Sequence, residues 1–267
     1  MVTFNTANAA WVNVLGDLVA EGNDVSPRDM DTMELLHYSS TLDMSYPIVT
    51  IPERKLGYRF MMAEASWIMN GDNKVRTIEP YSKKIVKFSD DRKFFFGAYG
   101  PQVVDQLMYV VDALVEDHLT RQAVMTIWRK NPRKSKDIPC TISVQWIIRD
   151  HKLHCIDTMR SSDVWLGWPY DVFNFSMLSM YVLLLLRARG YWYNLGTLTL
   201  TAGSQHIYGA QVDDAINIVE TWHDREAYEM NAFKPECFPS PEAFITYIGM
   251  RADVNKPIER IFELGKT

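Results

Sequence analysis

Residues 1–267 predict a single α+β domain, on three observations. Stretches with apolar residues at helical spacing and stretches of strand composition both occur, in mixed order. One run, "FNFSMLSMYVLLLLRARG", is the most hydrophobic helix candidate and is expected at the centre of the domain. No internal repeat, low-complexity segment or Gly/Ser linker divides the chain.

The elements follow in order. "TANAAWVNVLGDLVAEG" is spaced as a helix and stops at Gly22. After the loop "NDVSPRDMD" comes "TMELLHYSSTLDM", which reads as a strand with an irregular edge. "ERKLGYRFMMAEASWIMNGD" predicts a helix closed by Asn70-Gly71. Residues 73–100 are polar and aromatic without a clear period, which predicts a long functional loop or a pair of short helices. "QVVDQLMYVVDALVED" is helical again. "RQAVMTIWR" has strand composition, and "CTISVQWIIRDHKLHCIDTMRSSDV" predicts two strands joined at residues 149–152. After the apolar helix, "YNLGTLTLTAGSQHIYG" reads as a strand leading into the helix "AQVDDAINIVETWHDRE".

The composition, 47% hydrophobic and 23% charged, is globular. A net charge of −5 provides no basic field for nucleic acid as an obligatory partner. Three widely spaced cysteines, Cys140, Cys155 and Cys237, make neither a disulfide framework nor a C-x-x-C metal pair, which favours a reducing compartment. The first residues lack the basic flank and cleavage site of a signal peptide. The longest apolar run is too short to span a bilayer, so a cytoplasmic protein without a membrane partner is expected.

Residue types stop being interchangeable over residues 139–171. The chain reads P-C-T-x-x-V-Q-W-x-x-R-D, then M-R-S-S-D-V-W-L-G-W-P-Y-D, and later Gln205-His206-Ile207-Tyr208. These segments resemble the thymidylate synthase family: a Pro-Cys nucleophile before a strand, an R-S-x-D turn, an L-G-x-P-[FY]-[ND] segment and an H-I-Y motif. "AEASWIMNGD" and "GAYG" are similar to two further family segments. The resemblance spans residues 26–215 and implies a mixed β-sheet around a central hydrophobic helix, with one sheet face forming a homodimer interface.

It also implies a chemistry. Carbon 5 of a pyrimidine nucleotide is a poor nucleophile, and a thiolate adding at carbon 6 makes it enamine-like, able to attack a one-carbon electrophile. Cys140 matches that nucleophile, and Arg160 matches the arginine whose guanidinium favours the thiolate and reaches the nucleotide phosphate. Arg28 and Arg121 resemble two further phosphate-holding arginines, Arg121 reaching across the dimer. Many members pair that arginine with a second, where this chain has Gln122. Ser161 would donate to the phosphate, and His206 and Tyr208 would bind the sugar 3′-hydroxyl. Glu64 is similar to the glutamate that organises water and relays protons around ring position 4. Tyr99 is similar to the tyrosine that helps remove the position-5 proton. Asp163 resembles an aspartate that contacts the pterin ring, with Leu166, Gly167 and Tyr170 lining its pocket. With no nicotinamide or metal motif, the implied one-carbon donor is 5,10-methylenetetrahydrofolate.

Departures from the pattern narrow the substrate. Thymidylate synthases carry Asn at the end of "LGWPYD", where this chain has Asp171. A carboxylate cannot donate to O4 of uracil, but it accepts from the exocyclic amine of cytosine. A wrong pairing there would cost on the order of 1–3 kcal/mol per buried group. The loop before "GAYG" contains no tryptophan, and the chain ends "RIFELGKT" without the family's apolar tail, so water rather than hydride is expected to finish the reaction. "CTxxVQ", "IRDxK" and "MRSxDV" look closer to the deoxycytidylate hydroxymethylases of T-even bacteriophages. The resemblance therefore implies a deoxycytidylate (dCMP) 5-hydroxymethylase, a transferase of nucleotide biosynthesis. A dCMP 5-methyltransferase, or a hydroxymethylase of CMP or dUMP, would use the same parts.

Plainer readings stand beside these. Cys140 alone would be core filling, like Cys155 and Cys237. Asp171 would equally cap the helix that follows it, and Glu64 would be salt-bridged scaffolding. Tyr99 would be packing, and His206 a satisfied core histidine. Phe94-Phe95-Phe96 reads as core or folate wall, and "RKNPRKSKD" as a solvated loop or a contact to phosphate or folate. A cysteine hydrolase pairing Cys140 with His206 is the rival from another enzyme class, and a nucleotide- or RNA-binding protein is the non-enzymatic one.

Overall fold

The computed structural model describes residues 2–222 and 232–253. In chain order its elements begin with β1 (Thr3–Phe4), α1 (Ala7–Glu21), β2 (Asn23–Val25), β3 (Thr32–Asp43), α2 (Tyr58–Met69), α3 (Val75–Ile78) and α4 (Gly100–Glu116). They continue with β4 (Val124–Thr126), β5 (Thr141–Arg149), β6 (Lys152–Met159), β7 (Ser162–Asp163), α5 (Trp168–Ala188), β8 (Asn194–Tyr208), α6 (Val212–Thr221) and α7 (Pro241–Arg251). The expected α+β architecture is present as one mixed eight-stranded sheet of order β1-β3-β8-β6-β5-β4, with β2 on β3 and β7 on β8.

Local chemistry explains most boundaries. The Thr6 hydroxyl caps α1 by accepting from Ala9 N–H at 3.2 Å, and the helix stops at Gly22. Asp150 and His151 both adopt left-handed φ, 49° and 58°, so β5 and β6 meet in a type I′ turn, where the residue pattern placed it. Residues 73–100 contain α3 and a 3₁₀ turn at Lys83–Phe88, the second of the two arrangements expected there. His37 takes a left-handed φ of 52° inside β3, which is the irregularity read from its sequence.

Several boundaries differ from expectation. The helix expected from Glu53 begins only at Tyr58, because residues 52–54 form a separate 3₁₀ turn that ends with Lys55 at φ 50°. The strand expected from "RQAVMTIWR" pairs only over Val124–Thr126. The apolar helix starts at Trp168 rather than Phe173, with Pro169 in its first turn, where the missing proline N–H costs nothing. Asp171 thus lies inside α5, its N–H bonded to Gly167 O at 3.0 Å, and the capping position is Gly167. That excludes the helix-cap reading of Asp171. Helix α7, with Ser240 capping Ala243 N–H, had no expectation attached. Of the final helix reading, residues 223–226 lie outside the described residues, as does the C-terminal "RIFELGKT".

Helix α5 packs its buried side chains, Phe173, Met177, Met180 and Leu183 among them, onto the inner face of the sheet. The inner face of β6 is Leu153, Cys155, Asp157 and Met159, alternating with half-exposed residues as the pleat requires. Among the described residues, α5 is the one helix long and apolar enough to cross a membrane, and most of it is buried inside the fold. Each fully buried Leu or Phe there contributes roughly 1.5–3 kcal/mol of transfer free energy. The stack of sheet and central helix therefore makes a stiff support, and the residues of interest lie at its edge.

Candidate active site

A cavity of about 760 Å³ opens between α2, residues 81–99, residues 137–140 and the first turn of α5. Its polar lining includes Glu64, Tyr99, Cys140, Asp171 and Asn174, and its apolar lining includes Phe60, Ile68, Phe95, Leu166 and Tyr170. Four of the expected reaction residues thus converge on one space, although as many as 107 positions (64 to 171) separate them in sequence.

Cys140 ends the segment that feeds β5. Arg160, at the end of the partner strand β6, straddles that segment. Its Nε donates to Pro139 O at 3.0 Å, one terminal nitrogen to Ile138 O at 3.0 Å, and the other to Ser161 Oγ at 2.9 Å. The backbone completes the clamp, Arg160 N–H donating to Cys140 O at 2.8 Å. Each terminal nitrogen keeps one N–H without a protein partner among the described residues, the fork a phosphate monoester needs. Gly203 of β8 permits this approach, since a Cβ there would stand 2.9 Å from Arg160 O. Gly97 has the same role at the loop, where a Cβ would meet Asp137 O at 2.8 Å while Gly97 N–H donates to the Asp137 carboxylate at 2.7 Å.

The Cys140 sulfur lies 3.8 Å from Ser161 Oγ. Burial pushes its thiol up, and the nearby Arg160 guanidinium draws it back only in part, with Asp171 adding to the rise. The arginine acts in favour of the thiolate, and burial outweighs it. Tyr99 stacks on Phe175 at 6.2 Å, and its hydroxyl oxygen accepts from Thr141 N–H at 3.3 Å. Burial, then the Asp171 charge, pushes its ionisation well above the usual phenol range.

Across the cavity stand carboxyls that make no ion pair among the described residues. Glu64 accepts from Asn174 Nδ2 at 2.8 Å, which replaces the salt-bridge reading with an amide contact. Burial pushes its carboxyl up to about 7, with the Asn174 amide opposing. Burial also pushes Asp171 well above the carboxylate range, reinforced by Glu64 and Asp163. Behind them Asp157, on β6, has no exposed surface and neither oxygen has a hydrogen-bond partner among the described residues. Burial, then the Asp171 charge, pushes its carboxyl well above the usual carboxylate range, although the Thr141 hydroxyl lies near enough to oppose this without reaching hydrogen-bond geometry.

A second group lies along the neighbouring strand end. Asp163 of β7 pairs with His206 of β8, and the His206 ring meets Tyr208 edge-on at 5.4 Å. Thr32 pairs with Tyr208, which puts the preceding turn and the exposed Arg28 at this same end. Ser204 N–H donates to Arg160 O at 3.2 Å, so Arg160 and Ser161 adjoin the strand that carries His206. None of Arg28, Arg160, Ser161, Asp163, His206 and Tyr208 lines that cavity itself. His206 and Cys140 therefore do not share that wall, which disfavours the Cys–His hydrolase reading. Asp163 stands behind the pocket instead, its Oδ1 accepting from Trp165 N–H at 2.9 Å and Leu166 N–H at 2.8 Å. That turn presents Leu166, Gly167 and Tyr170 to the cavity. Arg121 is exposed beside β4, the sheet edge opposite β1, and the chain does not bring it to the cavity.

Three residues at this site escaped the motif reading: Asn174, Arg54 and Asp157. Arg54 is buried, donates to Trp165 O at 2.7 Å and stacks over Trp165 and Tyr170 at 5.5 and 6.0 Å. For Asn174 a signal existed: it lies three residues beyond Asp171, on the same face of a helix. Of the phenylalanine triplet, Phe95 is buried at the cavity wall, while Phe96 carries Arg129 and Arg133 over its ring at 4.6 and 4.5 Å. The latter contacts hold the basic "RKNPRKSKD" loop against the cavity's outer wall.

The chain matches the family model for thymidylate synthase over residues 9–236. It is similar to a thymidylate synthase of Buchnera aphidicola subsp. Baizongia pistaciae (strain Bp), 24% identical over 221 residues. The match covers 77% of this chain and 81% of that relative.

Proposed function

We propose that this chain, which belongs to the thymidylate synthase family, is a deoxycytidylate 5-hydroxymethylase. Membership makes it a one-carbon transferase acting on a pyrimidine nucleotide. The finer reading rests on one observation: Asp171 stands at the cavity wall with Cys140, and no protein donor reaches its carboxyl among the described residues.

Burial favours a protonated Asp171. Cytosine presents a basic ring nitrogen, N3, beside an amine donor, so a neutral carboxyl donates to the first and accepts from the second. The proton can then pass to N3, leaving a charge-assisted pair that makes carbon 6 more electrophilic. Uracil presents N3–H beside O4, a much weaker base, so the neutral acid can pair with it but cannot pass its proton to the ring, and carbon 6 is not activated in that way.

Cys140 is the nucleophile toward carbon 6, Arg160 and Ser161 hold it and the phosphate, and Tyr99 assists removal of the position-5 proton. A bound phosphate would share the guanidinium with the thiolate, so the free Arg160 N–H groups bind substrate while the engaged ones fix the Cys140 segment. Arg28, with Arg121 from a second copy, completes the phosphate site, and His206 and Tyr208 take the sugar. Residues 1–267 act as one catalytic domain of a homodimer.

Methylenetetrahydrofolate, when bound, supplies the one-carbon unit. The apolar wall fits a flat pterin ring: Phe60 and Tyr170 meet edge-on at 5.4 Å, and Leu166 is half exposed. Asp163 orders the turn carrying that wall. Absence of tryptophan from residues 73–100 supports water, not hydride, as the final reactant.

The test is mass spectrometry of the product from dCMP and methylenetetrahydrofolate, with tritium release from [5-³H]dCMP and [5-³H]dUMP measured in parallel. A product one oxygen heavier than the methyl compound, with dCMP preferred, is expected. A methyl product overturns the hydroxymethyl assignment, and preference for dUMP overturns the reading of Asp171.

A further inference from the structure

Asn174 is buried at 6% exposure, lines the cavity, and gives one amide N–H to Glu64 Oε2 at 2.8 Å. Its own oxygen, Oδ1, has no partner among the described residues. A buried amide with one end satisfied and the other empty is uncommon, because a buried acceptor without a donor costs free energy. Asp171 precedes it by three residues on α5, so the two side chains leave the same helix face. Glu64, from α2, has Asn174 as its one side-chain hydrogen-bond partner among the described residues.

We propose that Asn174 is the positioning residue for Glu64: its amide holds the ionised carboxylate toward the pyrimidine, and by turning over it can also serve the protonated acid. In the orientation described, Nδ2 donates to a carboxylate. Rotated by half a turn, Oδ1 accepts the proton of the carboxylic acid. Which end faces Glu64 therefore follows the charge on Glu64, and a proton can come and go there without leaving the side chain unpaired. This deepens the proposed function, in which Glu64 relays protons around ring position 4, and rests on that reading for its catalytic meaning only.

The charges around Glu64 support the arrangement. Burial raises its affinity for a proton and the Asn174 donor lowers it, and no other group among the described residues adds a resolved effect. From α5, Asp171 ionises after Glu64, because the Glu64 charge opposes it. Asp163 of β7 acts on Asp171 in the same direction, and burial pushes Tyr99 before α4, Asp157 of β6 and the Cys140 thiol upward. Burial is the larger influence on the Glu64 midpoint, about 7, and the Asn174 amide is the group that opposes it.

The experiment is a carbon-13 NMR titration of glutamate carboxyls in the whole protein, with the Glu64 signal assigned by its loss in Glu64→Gln. Asn174→Leu should raise the Glu64 midpoint by up to about one pH unit, because the bond the amide gives the carboxylate is charge-assisted and the one it gives the acid is not. Asn174→Ala should raise it less, because water can enter the vacated space, and it also tests the proposal if the leucine variant does not fold. An unchanged midpoint in a folded variant overturns the proposal. The titration needs no substrate, so it stands apart from the dCMP assignment. Tritium release from dCMP, run on the same variants, should show its acidic limb displaced upward by the same amount with KM little changed, and a KM effect alone would overturn the positioning role.

Discussion

On the sheet side of the cavity, Cys140 is pinned through backbone and side chain by Arg160, whose guanidinium makes three protein hydrogen bonds between 2.9 and 3.0 Å. On the helix side, Glu64 and Asp171 face the same space, Glu64 held by the Asn174 amide, and neither makes an ion pair among the described residues. The first wall is geometrically determined before substrate arrives and has a fixed positive charge, Arg160, behind it. The second is held by burial, and its charge depends on where protons sit. A nucleophile needs placement to within a fraction of an ångström, whereas groups that exchange protons with a ring need affinities near neutrality. The two walls meet those needs separately.

Breaking the sheet wall should have the largest effect. Cys140→Ala removes the nucleophile, and tritium release from [5-³H]dCMP should fall at least about a thousandfold while nucleotide binding, followed by calorimetry, persists. Retained turnover would show that the clamp holds a structural thiol. Arg160→Lys keeps the charge but loses the fork, and should slow release by about 10–100-fold while raising the thiol's ionisation midpoint. Alkylation of Cys140 by iodoacetamide across pH reads that midpoint. A rate of alkylation equal to wild type would mean that the guanidinium does not influence the sulfur.

On the helix wall the expected changes concern selectivity and pH. Asp171→Asn should move the kcat/KM ratio of dCMP to dUMP toward dUMP by about 10–100-fold, the equivalent of 1–3 kcal/mol. An unmoved ratio would take base recognition away from this residue. The smallest effect belongs to Asp157, behind both walls. Its folded-state proton affinity is raised by burial above that of the unfolded chain, so folding takes up a proton as pH rises past the unfolded value. That contribution is fully present below about pH 4, near the ordinary carboxyl value, and is lost progressively above it. Asp157→Asn should therefore gain on wild type as pH rises from about 4 to 8, by a few °C in Tm. A difference in Tm that does not vary with pH would show that Asp157 is already ionised in the folded protein.

Much of this was legible in residue order, for reasons that are local. The turn at Asp150-His151 follows from two residues that tolerate left-handed backbone, and α1 from a capping threonine and apolar spacing. The Pro-Cys step, the R-S-S-D turn and L-G-W-P-Y-D are contiguous patterns, so Cys140, Arg160 and Asp171 could be singled out before any fold was known. The shorter strand β4 and the later start of α2 were not legible, because both depend on which neighbours compete for the backbone.

Sequence by itself determined the alternation of helices and strands and the chemical types available for reaction. Tertiary structure alone decided their environments. Asn174 meets Glu64 across 110 residues and Arg54 meets Trp165 across 111, separations at which no pattern in the chain correlates the partners. The proton affinities of Glu64, Asp157 and Asp171 depend on how completely distant segments remove water from them. Desolvation belongs to the folded volume around a group, and the residue's own letter does not carry it.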